Sequence, residues 1–429
     1  MKKILIIKLR ALAKLILRRY RPTVIGITGS VGKTSAKEAV YFVLKDQLKV
    51  RMSPKNYNSE IGLPLSIIGS QTAGRNIFGW LLIFWKAFKI LIIKDKDYPE
   101  VLVLEMGVDH PGDMQYLTEI ATPKVGVVTA VSYSHLEYFG SVSNIKKEKQ
   151  VLIENVDNQG LSVLNYDNSL VREMSESSRA RVITYGLKEG ADLRAQDITF
   201  NFTRGTYDLA GVNFKLNNQG AIVPVFMRHV MTESALYAAL AAAAVGLYFD
   251  MNLVEIAKAL EEFNLPPGRM NILPGIKHTF IIDDTYNSSP EAVISALDIL
   301  GRIKIEEGAS KYAILGDMLE LGSYTEEGHL TAGQKAAASN LQCLIAVGER
   351  ARMIIQGASQ AGMDDACLFY FDKPEEAGRF IQNRLKAGDI SLVKGSQGMR
   401  MEKIVKEIMA EPEKAGELLV RQGEDWQNK

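Results

Sequence analysis

Short apolar runs alternate with helical segments along most of the chain. Val, Ile and Leu dominate these runs, which is typical of strands buried on both faces of a parallel sheet. The first four runs lie at 24–27, 101–106, 125–131 and 163–165. A different pattern follows at 190–226, where strand-forming stretches are broken by glycines, and it favours an added set of antiparallel strands. The first part of the chain therefore predicts a mostly parallel sheet.

After residue 265 the alternation of strands and helices begins again. The segment Leu265–Met270 contains two prolines and a glycine, which end a helical stretch at 253–263. Strand patterns follow at 279–282, 312–315, 344–347, 368–371 and 391–393, each before a helical segment. This order predicts a doubly wound α/β domain at 266–429, preceded by a separate domain at 23–265.

Residues 23–39, TVIGITGSVGKTSAKEA, combine a strand pattern, a glycine-rich turn and the start of a helix. Such turns hold ATP or GTP, because glycines let backbone N–H groups converge on a phosphate and the helix N-terminus adds positive charge. Lys33 supplies a further charge, and Thr34 offers a hydroxyl to Mg²⁺. The predicted nucleotide-binding residues are Thr28, Gly29, Ser30, Val31, Gly32, Lys33, Thr34 and Ser35. Ile27 replaces the first glycine of the usual spacing, so a glycine-rich turn with a solvated lysine is the alternative.

Composition narrows the class of protein. The chain has 429 residues, of which 47% are hydrophobic, and a formal net charge of +1, so it can bury a large core and is not a polyanion binder. We therefore expect no nucleic acid partner. Cys343 and Cys367 lack the spacing of a metal site and the number needed for a disulfide framework, which favours a reducing cytoplasm. The expected fold class is α/β: a P-loop ATPase domain with a mostly parallel sheet, followed by a doubly wound Rossmann-like domain.

Two segments outside the strand pattern are unusually basic or apolar. Residues 1–22 carry eight Lys or Arg and no acidic residue, and residues 77–93 are apolar except for a few positions that include Lys86 and Lys89. We predict neither a signal peptide nor a membrane span, because the apolar runs are too short and are interrupted by charge. Two interpretations stay open: peripheral contact with an anionic membrane surface, or helices packed on the core with their lysines in water.

Candidate metal ligands follow the apolar runs. Glu105 ends the run VLVLE, and a carboxylate at the carboxyl end of a parallel strand is well placed to bind Mg²⁺. His135 follows the next run, and a helix containing Lys146, Lys147 and Lys149 comes after it. Taken alone, His135 also fits a packed histidine, and the three lysines fit a solvated helix face.

These segments together resemble the Mur ligase family, the ATP-dependent amide ligases of peptidoglycan precursor synthesis. The resemblance starts with TGSVGKT, NYNSEIGLP, EMG and HLEYFGS, in the family's order. It implies that Lys33 contacts the terminal phosphates of ATP and that Thr34, Glu105 and His135 hold Mg²⁺. It also implies nucleotide contacts for the two amides of the second motif, Asn56 and Asn58.

A carbamylated lysine is a further feature that the resemblance implies, and Lys149 stands at its position. A carbamate would convert this cationic side chain into an anionic oxygen ligand for Mg²⁺. Because Lys146 and Lys147 are close in sequence, the choice among the three lysines stays open. Val151 stands where the family commonly has Glu.

Motifs in the second domain extend the resemblance over about residues 23–408. They are PGRM at 267–270, DDTYNSSP at 283–290, LGDMLELG at 315–322, and LVKGS with GMR at 392–400. By resemblance Arg269 approaches the ATP phosphates, Asp284 the ribose and Lys394 the reacting groups, from the opposite side of the nucleotide. Asp284 also fits a helix N-cap, and Asp317 is interpreted as a loop residue with a structural or substrate-side role.

The resemblance also implies a reaction. A muramoyl-tripeptide carboxylate attacks the γ-phosphate of ATP, and the amine of D-alanyl-D-alanine then displaces phosphate from the acyl phosphate. Mg²⁺, Lys33 and Arg269 would screen the charges of the two anionic reactants. Two alternatives stay open: a ligase that joins a different acid and amine, including a lipid-linked acceptor, and a P-loop nucleotide switch that ligates nothing. We expect a cytoplasmic monomer, at the inner face of the membrane if the peripheral interpretation holds.

Family members begin with an N-terminal domain of roughly a hundred residues that binds UDP. Only 22 residues precede the predicted P-loop strand here. We therefore expect that the ligase chemistry is retained and that UDP is handled differently.

Overall fold

The computed structural model describes the chain except residues 1, 55–56, 75, 133–135, 202–210, 231, 424–425 and 427–429. The described residues form two compact units. The first contains residues 1–198, 214–226 and 233–263, and the second contains residues 199–213, 227–232 and 264–429.

In the described part of the chain, the larger sheet has nine strands, and most of its strand pairs are parallel. Its strands are β1 (Thr23–Thr28), β2 (Val50–Met52), β3 (Val101–Glu105), β4 (Val125–Val128), β5 (Leu161–Asn165), β6 (Arg181–Gly186), β7 (Leu193–Asn201), β8 (Gly211–Asn218) and β9 (Ala221–Arg228). They lie in the order β2-β3-β1-β4-β5-β6-β7-β8-β9, with parallel pairing from β2 to β7. Strands β1, β3, β4 and β5 are almost completely buried, as their unbroken apolar runs predict.

Helices flank this sheet. They are α1 (Lys2–Tyr20), α2 (Lys33–Leu44), α3 (Gly62–Ile68), α4 (Ile77–Ile92), α5 (Asp113–Ile120), α6 (Leu136–Phe139), α7 (Val142–Glu154), α8 (Ser169–Arg172), α9 (Glu233–Tyr248) and α10 (Leu253–Glu261). Side-chain caps fix several starts: Ser141 accepts the N–H of Asn144 at the start of α7, and Asn252 and Glu255 form a capping box at α10.

The second unit contains a sheet that is covered on both faces. Its strands are β10 (Asn271–Gly275), β11 (Thr279–Asp284), β12 (Lys311–Gly316), β13 (Cys343–Val347), β14 (Leu368–Phe371) and β15 (Ile390–Lys394), in the order β10-β11-β15-β12-β13-β14. Only the β10–β11 pair is antiparallel within that order. The helices are α11 (Pro290–Arg302), α12 (Thr325–Ala337), α13 (Arg352–Gln360), α14 (Pro374–Arg384), α15 (Glu402–Ile408) and α16 (Ala415–Leu418).

Alternate residues of these strands belong to two different apolar clusters. Ile282 and Leu315 lie in one, and Ile281 and Ile314 lie in the other. Because successive side chains of a strand point to opposite faces, each face of the sheet has its own core. This confirms the predicted doubly wound arrangement and the α/β fold class.

The two unusual segments are both helical. Leu9, Leu12, Ala13 and Ile16 bury one side of α1 in the core that lies over β3, and Ile83, Ala87 and Ile90 of α4 join the same core. Elsewhere one observed element is shorter than expected, since the strand predicted at 125–131 ends at Val128. Over the described part of the chain, we find no helix with the length and apolarity that crossing a bilayer requires.

Candidate functional site

The turn between β1 and α2 has the backbone of a phosphate-binding loop. Gly29 packs so closely on the next strand that a Cβ atom there would lie 2.0 Å from the Thr129 hydroxyl oxygen. Gly32 caps α2 with φ of 82°, a left-handed conformation that favours glycine. The turn is anchored to the segment just after β4 through the N–H of Ser30, which donates to the carbonyl of Ala130 at 2.7 Å. The N-terminus of α2 is thereby held next to the carboxyl end of β1.

The side chains of this loop differ in what they contact. Lys33 Nζ donates to the carbonyl of Gly29 at 2.6 Å, so the ammonium curls over the loop. The Thr28 hydroxyl is buried and donates to the carbonyl of Met106, so this side chain has a structural contact within the protein. Ser30 Oγ accepts the N–H of Ser132 at 3.0 Å. Two further predicted residues differ in exposure, since Val31 is exposed and Ser35 is buried. Contact between these residues and a nucleotide stays a prediction.

Glu105 ends β3 next to the loop, and three oxygen-bearing side chains meet there. The Thr34 hydroxyl donates to Glu105 Oε2 at 3.2 Å, and the Asn58 amide donates to Oε1 at 3.4 Å. The N–H of Glu105 donates to the buried hydroxyl of Ser53 at 3.0 Å, which fixes the backbone. Carboxylate, hydroxyl and amide oxygens are the donors that Mg²⁺ prefers. Thr34, Glu105 and Asn58 therefore fit a magnesium ion.

Lys37 is a residue of this site that the sequence analysis missed. It lies one turn after Lys33 on α2 and is completely buried. Its Nζ lies 3.7 Å from Glu105 Oε2 and 3.8 Å from Glu38 Oε1, and within the described residues it has no hydrogen-bond partner. A lysine four residues after the P-loop lysine would have been the signal, but its burial depends on how α2 packs in the folded unit, which the sequence does not show.

Lys149 lies on the buried side of α7 with Ile145, Glu148 and Leu152. Burial and the nearby charge of Lys33 lower the pKa of Lys149 to about 7, although the negative charges of Glu148 and Asp109 oppose this shift. Lys149 therefore lies close enough to the P-loop lysine, Lys33, for the two charges to interact. A lysine with this pKa has a large neutral fraction at neutral pH, and the neutral amine is the form that reacts with CO₂.

The other two lysines of α7 face elsewhere. Lys146 forms an ion pair with Glu173, and Lys147 is exposed to solvent. Glu148, beside Lys149, accepts the N–H groups of Gly112 at 2.9 Å and Met114 at 2.7 Å, which caps the start of α5. Of the three candidates, only Lys149 has the burial and the charge environment that fit a carbamate.

Two predicted site residues, Asn56 and His135, lie outside the described residues. Among the residues that the structure does describe, we find no cluster of three or more His, Cys, Asp or Glu side chains that could hold a metal. In the described part of the chain, the oxygen donors that meet beside the loop are the carboxylate of Glu105 and the neutral groups of Thr34 and Asn58.

In the second unit, Asp284 and Lys394 end the neighbouring parallel strands β11 and β15 and are paired in register. Lys394 Nζ lies 2.6 Å from Asp284 Oδ2 and donates to the carbonyl of Asn287 at 2.9 Å. Both side chains are largely buried. The carboxyl edge of the second sheet thus holds a close charge pair at the place where such sheets bind ligands.

Arg269 lies close to the Tyr286 ring, with its guanidinium carbon 4.1 Å from the ring centroid. The N–H of its neighbour Gly268 donates to Asp283 at 3.1 Å, and the hydroxyl of Thr285 donates to the same carboxylate at 2.6 Å. Complete burial raises the pKa of Asp283 to about 6 despite these hydrogen bonds. Asp283 therefore joins the PGRM segment to the DDTYN segment.

Asp317 and the C-terminal segment have structural contacts. Asp317 accepts the N–H of Ala351 at 2.8 Å, and burial raises its pKa. Arg421 donates to the carbonyl oxygens of Thr285 and Tyr286 and pairs with the buried Glu402 at 2.6 Å. The C-terminal segment therefore stabilises the DDTYN loop through Arg421. No sequence motif indicated this contact.

Two family models match the chain: the Mur ligase middle domain over residues 89–246, and the Mur ligase, glutamate ligase domain over residues 268–397. The two ranges together contain more than half of the 429 residues. The chain belongs to the Mur ligase family, a class of ATP-dependent amide ligases, as the sequence motifs predicted.

Several of the similar proteins carry the name of one kind of Mur ligase. The UDP-N-acetylmuramoyl-tripeptide–D-alanyl-D-alanine ligase of Bacillus subtilis (strain 168) is 27% identical over 404 residues, which are 94% of this chain and 79% of that protein. A structure of MurF ligase from Thermotoga maritima in complex with ADP is 28% identical, with a TM-score of 0.75 and coverage of 95% of this chain and 84% of that one. A MurF structure from Acinetobacter baumannii has a TM-score of 0.77 at 24% identity and covers 93% of this chain and 79% of that one, a likeness of fold.

Proposed function

We propose that this protein is an ATP-dependent ligase that adds D-alanyl-D-alanine to the carboxylate of a UDP-linked muramoyl-tripeptide. The observation that carries the proposal is the contact of Thr34 and Asn58 with Glu105 at the carboxyl end of β3, beside the phosphate-binding loop that carries Lys33. The Bacillus subtilis relative, whose name gives this activity, supports the choice of substrates, and the Thermotoga maritima structure with ADP supports the use of ATP.

The first step is phosphoryl transfer. An oxygen of the acceptor carboxylate attacks the γ-phosphorus of ATP, the bond to the β-phosphate oxygen breaks, and ADP leaves. Both reactants are anions, so the site must screen their charges. Lys33 and the N–H groups at the start of α2 do this from the loop, and Thr34 and Glu105 would hold a magnesium ion, which supplies charge neutralisation when bound.

The second step is amide formation. The amine of D-alanyl-D-alanine attacks the acyl carbon, and the tetrahedral intermediate expels inorganic phosphate. Lys149, as its carbamate, would hold a second magnesium ion together with His135. Arg269, Asp284 and Lys394 of the second unit are proposed to contact the ATP phosphates, the ribose and the reacting groups. We assign the set Lys33, Lys149, His135, Arg269 and Lys394 as catalytic.

The setting proposed for this reaction is the cytoplasm, because both a nucleotide-linked precursor and ATP are found there. The protein would act as a monomer. Residues 1–22 and 77–93, which form α1 and α4 with their flanks, would meet the inner face of the membrane.

Release of ADP tests the proposal. Purified protein is given Mg²⁺ and ATP, then UDP-muramoyl-tripeptide, D-alanyl-D-alanine, or both, and the products are separated by mass. We expect repeated turnover of ATP to ADP, and a product heavier by one D-alanyl-D-alanine unit, only when both substrates are present; the muramoyl-tripeptide without the amine should release no more ADP than there is enzyme. If ADP release is the same with and without both substrates, the chain is a nucleotide switch. If only another acid and amine support turnover, it is a ligase of different specificity.

A further inference from the structure

One side of α4 carries a row of apolar side chains in contact with solvent, with the exposed Lys89 on the same side. Phe78 is 79% exposed, Trp85 62% and Ile92 75%. The surface, called here the apolar face of α4, consists of Ile77, Phe78, Leu81, Leu82, Trp85, Phe88 and Ile92, with Ile93 directly after the helix. Their spacing of three and four residues puts them along one side of the helix. A soluble monomer rarely exposes an apolar row of this size, which marks an interaction surface.

Basic side chains lie beside the apolar face. Lys89 is exposed on α4, with Nζ 5.4 Å from the Trp85 ring centroid. The C-terminal end of α1 meets the C-terminal end of α4, because Arg19 donates to the carbonyl of Ile92 at 3.2 Å and Tyr20 donates to that of Ile90 at 2.7 Å. Further along α1, Lys3, Lys8 and Arg18 are also exposed to solvent.

Acidic residues near these helices are already paired or lie beyond their ends. Neither α1 nor α4 contains Asp or Glu. Asp97, in the turn after α4, pairs with Lys49 at 3.2 Å, and Glu119 of α5 pairs with Arg10 at 2.6 Å. Net positive charge beside a wide apolar row is typical of helices that lie in the headgroup region of a membrane.

We infer that the apolar face of α4 inserts into the surface of a bilayer that contains anionic phospholipids, with the cations of α1 against the lipid phosphates. The helix would lie in the plane of the membrane. Trp85 and Phe78 suit the boundary between headgroups and acyl chains, where aromatic side chains are enriched. Pairing with a second copy is disfavoured, because a twofold contact of this face would bring the cations of two α1 helices close together.

This inference deepens the membrane location proposed above and names its lipid partner. Lipid binding is measured without ATP or acceptor, so its failure is separate from a failure of the ligase activity. The probe is vesicle flotation with phosphatidylcholine alone and with phosphatidylcholine containing phosphatidylglycerol. We expect the full-length protein to float with the anionic vesicles and to dissociate as salt is raised.

A paired substitution tests the insertion step. Phe78→Ser with Trp85→Ser should weaken vesicle binding on the order of 10²-fold, because two large apolar side chains no longer leave water. The matched control is Val254→Ser with Ile222→Ser, two exposed apolar residues elsewhere in the same unit, which should leave binding unchanged. Equal loss in both pairs, or loss in neither, overturns the proposal.

Charge and depth are tested separately. Lys3→Glu, Lys8→Glu and Arg18→Glu should each weaken binding to anionic vesicles by at least about fivefold, whereas Lys188→Glu and Lys258→Glu should not. Brominated lipids should quench the fluorescence of Trp85. The contribution of Trp85 is the difference in quenching between the wild-type protein and Trp85→Phe. Quenching that is unchanged in Trp85→Phe means that the face does not insert. A dimer in lipid-free solution that dissociates in the Phe78→Ser, Trp85→Ser variant, without vesicle binding by the wild type, would show that the occupant is a second copy.

Discussion

Carbamylation of Lys149 should depend on the unusual acidity of its ammonium group. At pH 7 a lysine with the ordinary pKa of 10.5 has about one neutral amine in 3,000 molecules, whereas a pKa of about 7 makes about half of the molecules neutral. Burial therefore raises the concentration of the form that attacks CO₂ by roughly 10³-fold. The product is an anion, so its interaction with Lys33 changes from repulsion to attraction. Both effects favour the carbamate.

The assay is ¹³C NMR of the protein in buffer with ¹³C-labelled bicarbonate. We expect a carbamate resonance in the wild-type protein that disappears in Lys149→Ala and persists in Lys146→Ala and Lys147→Ala. Its intensity should fall as the pH is lowered below about 7, because the folded-state pKa of Lys149 is depressed to that value and the amine then becomes protonated.

Activity supplies the second readout of the same variant. Short carboxylates such as acetate should restore part of the ligase activity of Lys149→Ala, since they replace the missing anionic oxygens. A resonance that survives in Lys149→Ala, or one that is lost in Lys147→Ala, would refute the assignment. Full activity of Lys149→Ala without added carboxylate would show that no carbamate is needed.

Three further changes test other parts of the chain. Lys33→Ala should abolish ATP turnover while the thermal midpoint stays within a few degrees of wild type; retained turnover would exclude the loop as the phosphate site. Glu105→Gln should raise the Mg²⁺ concentration needed for half-maximal turnover by about 10- to 100-fold. A magnesium titration measures this concentration, and an unchanged value would exclude Glu105 as a ligand. Lys394→Met should destabilise the protein by about 3 kcal/mol, because Asp284 loses its partner; adding Asp284→Asn should restore stability in denaturant titrations but not activity, and recovered activity would contradict the catalytic role of Lys394.

The fold was largely predictable because parallel strands buried on both faces leave a simple pattern. The runs at β1, β3 and β5 are mostly apolar and almost completely buried, and the same holds for β11, β12, β13 and β15. The end of β4 was missed because Val131 is apolar and buried after the strand has ended. Burial alone, which the pattern reports, does not mark where strand pairing stops.

The site was predictable only where one motif supplies the residue. The P-loop turn and Glu105 follow from local sequence, because a strand end fixes both positions. The burial of Lys37 and the choice of Lys149 over its two neighbours depend on which side of a helix faces the core. Helical spacing puts charged and apolar residues on both sides of α7, so packing against neighbouring elements decides. The domain limits at 23–265 and 266–429 and the roles of Arg269 and Lys394 stay predictions.

The orientation of α4 is another feature that the sequence could not predict. With nearly every position apolar, the sequence could not indicate which residues face the core. The structure separates them, since Ile83, Ala87 and Ile90 join the core cluster that also holds Leu102 and Leu104 of β3. Leu104 precedes Glu105, so the inner side of α4 and the candidate metal ligand rest on one core. Substitutions on the exposed side should change lipid binding and leave the ligase reaction in solution intact, whereas Ile83→Ala or Ile90→Ala should destabilise the unit by about 2–5 kcal/mol and impair both.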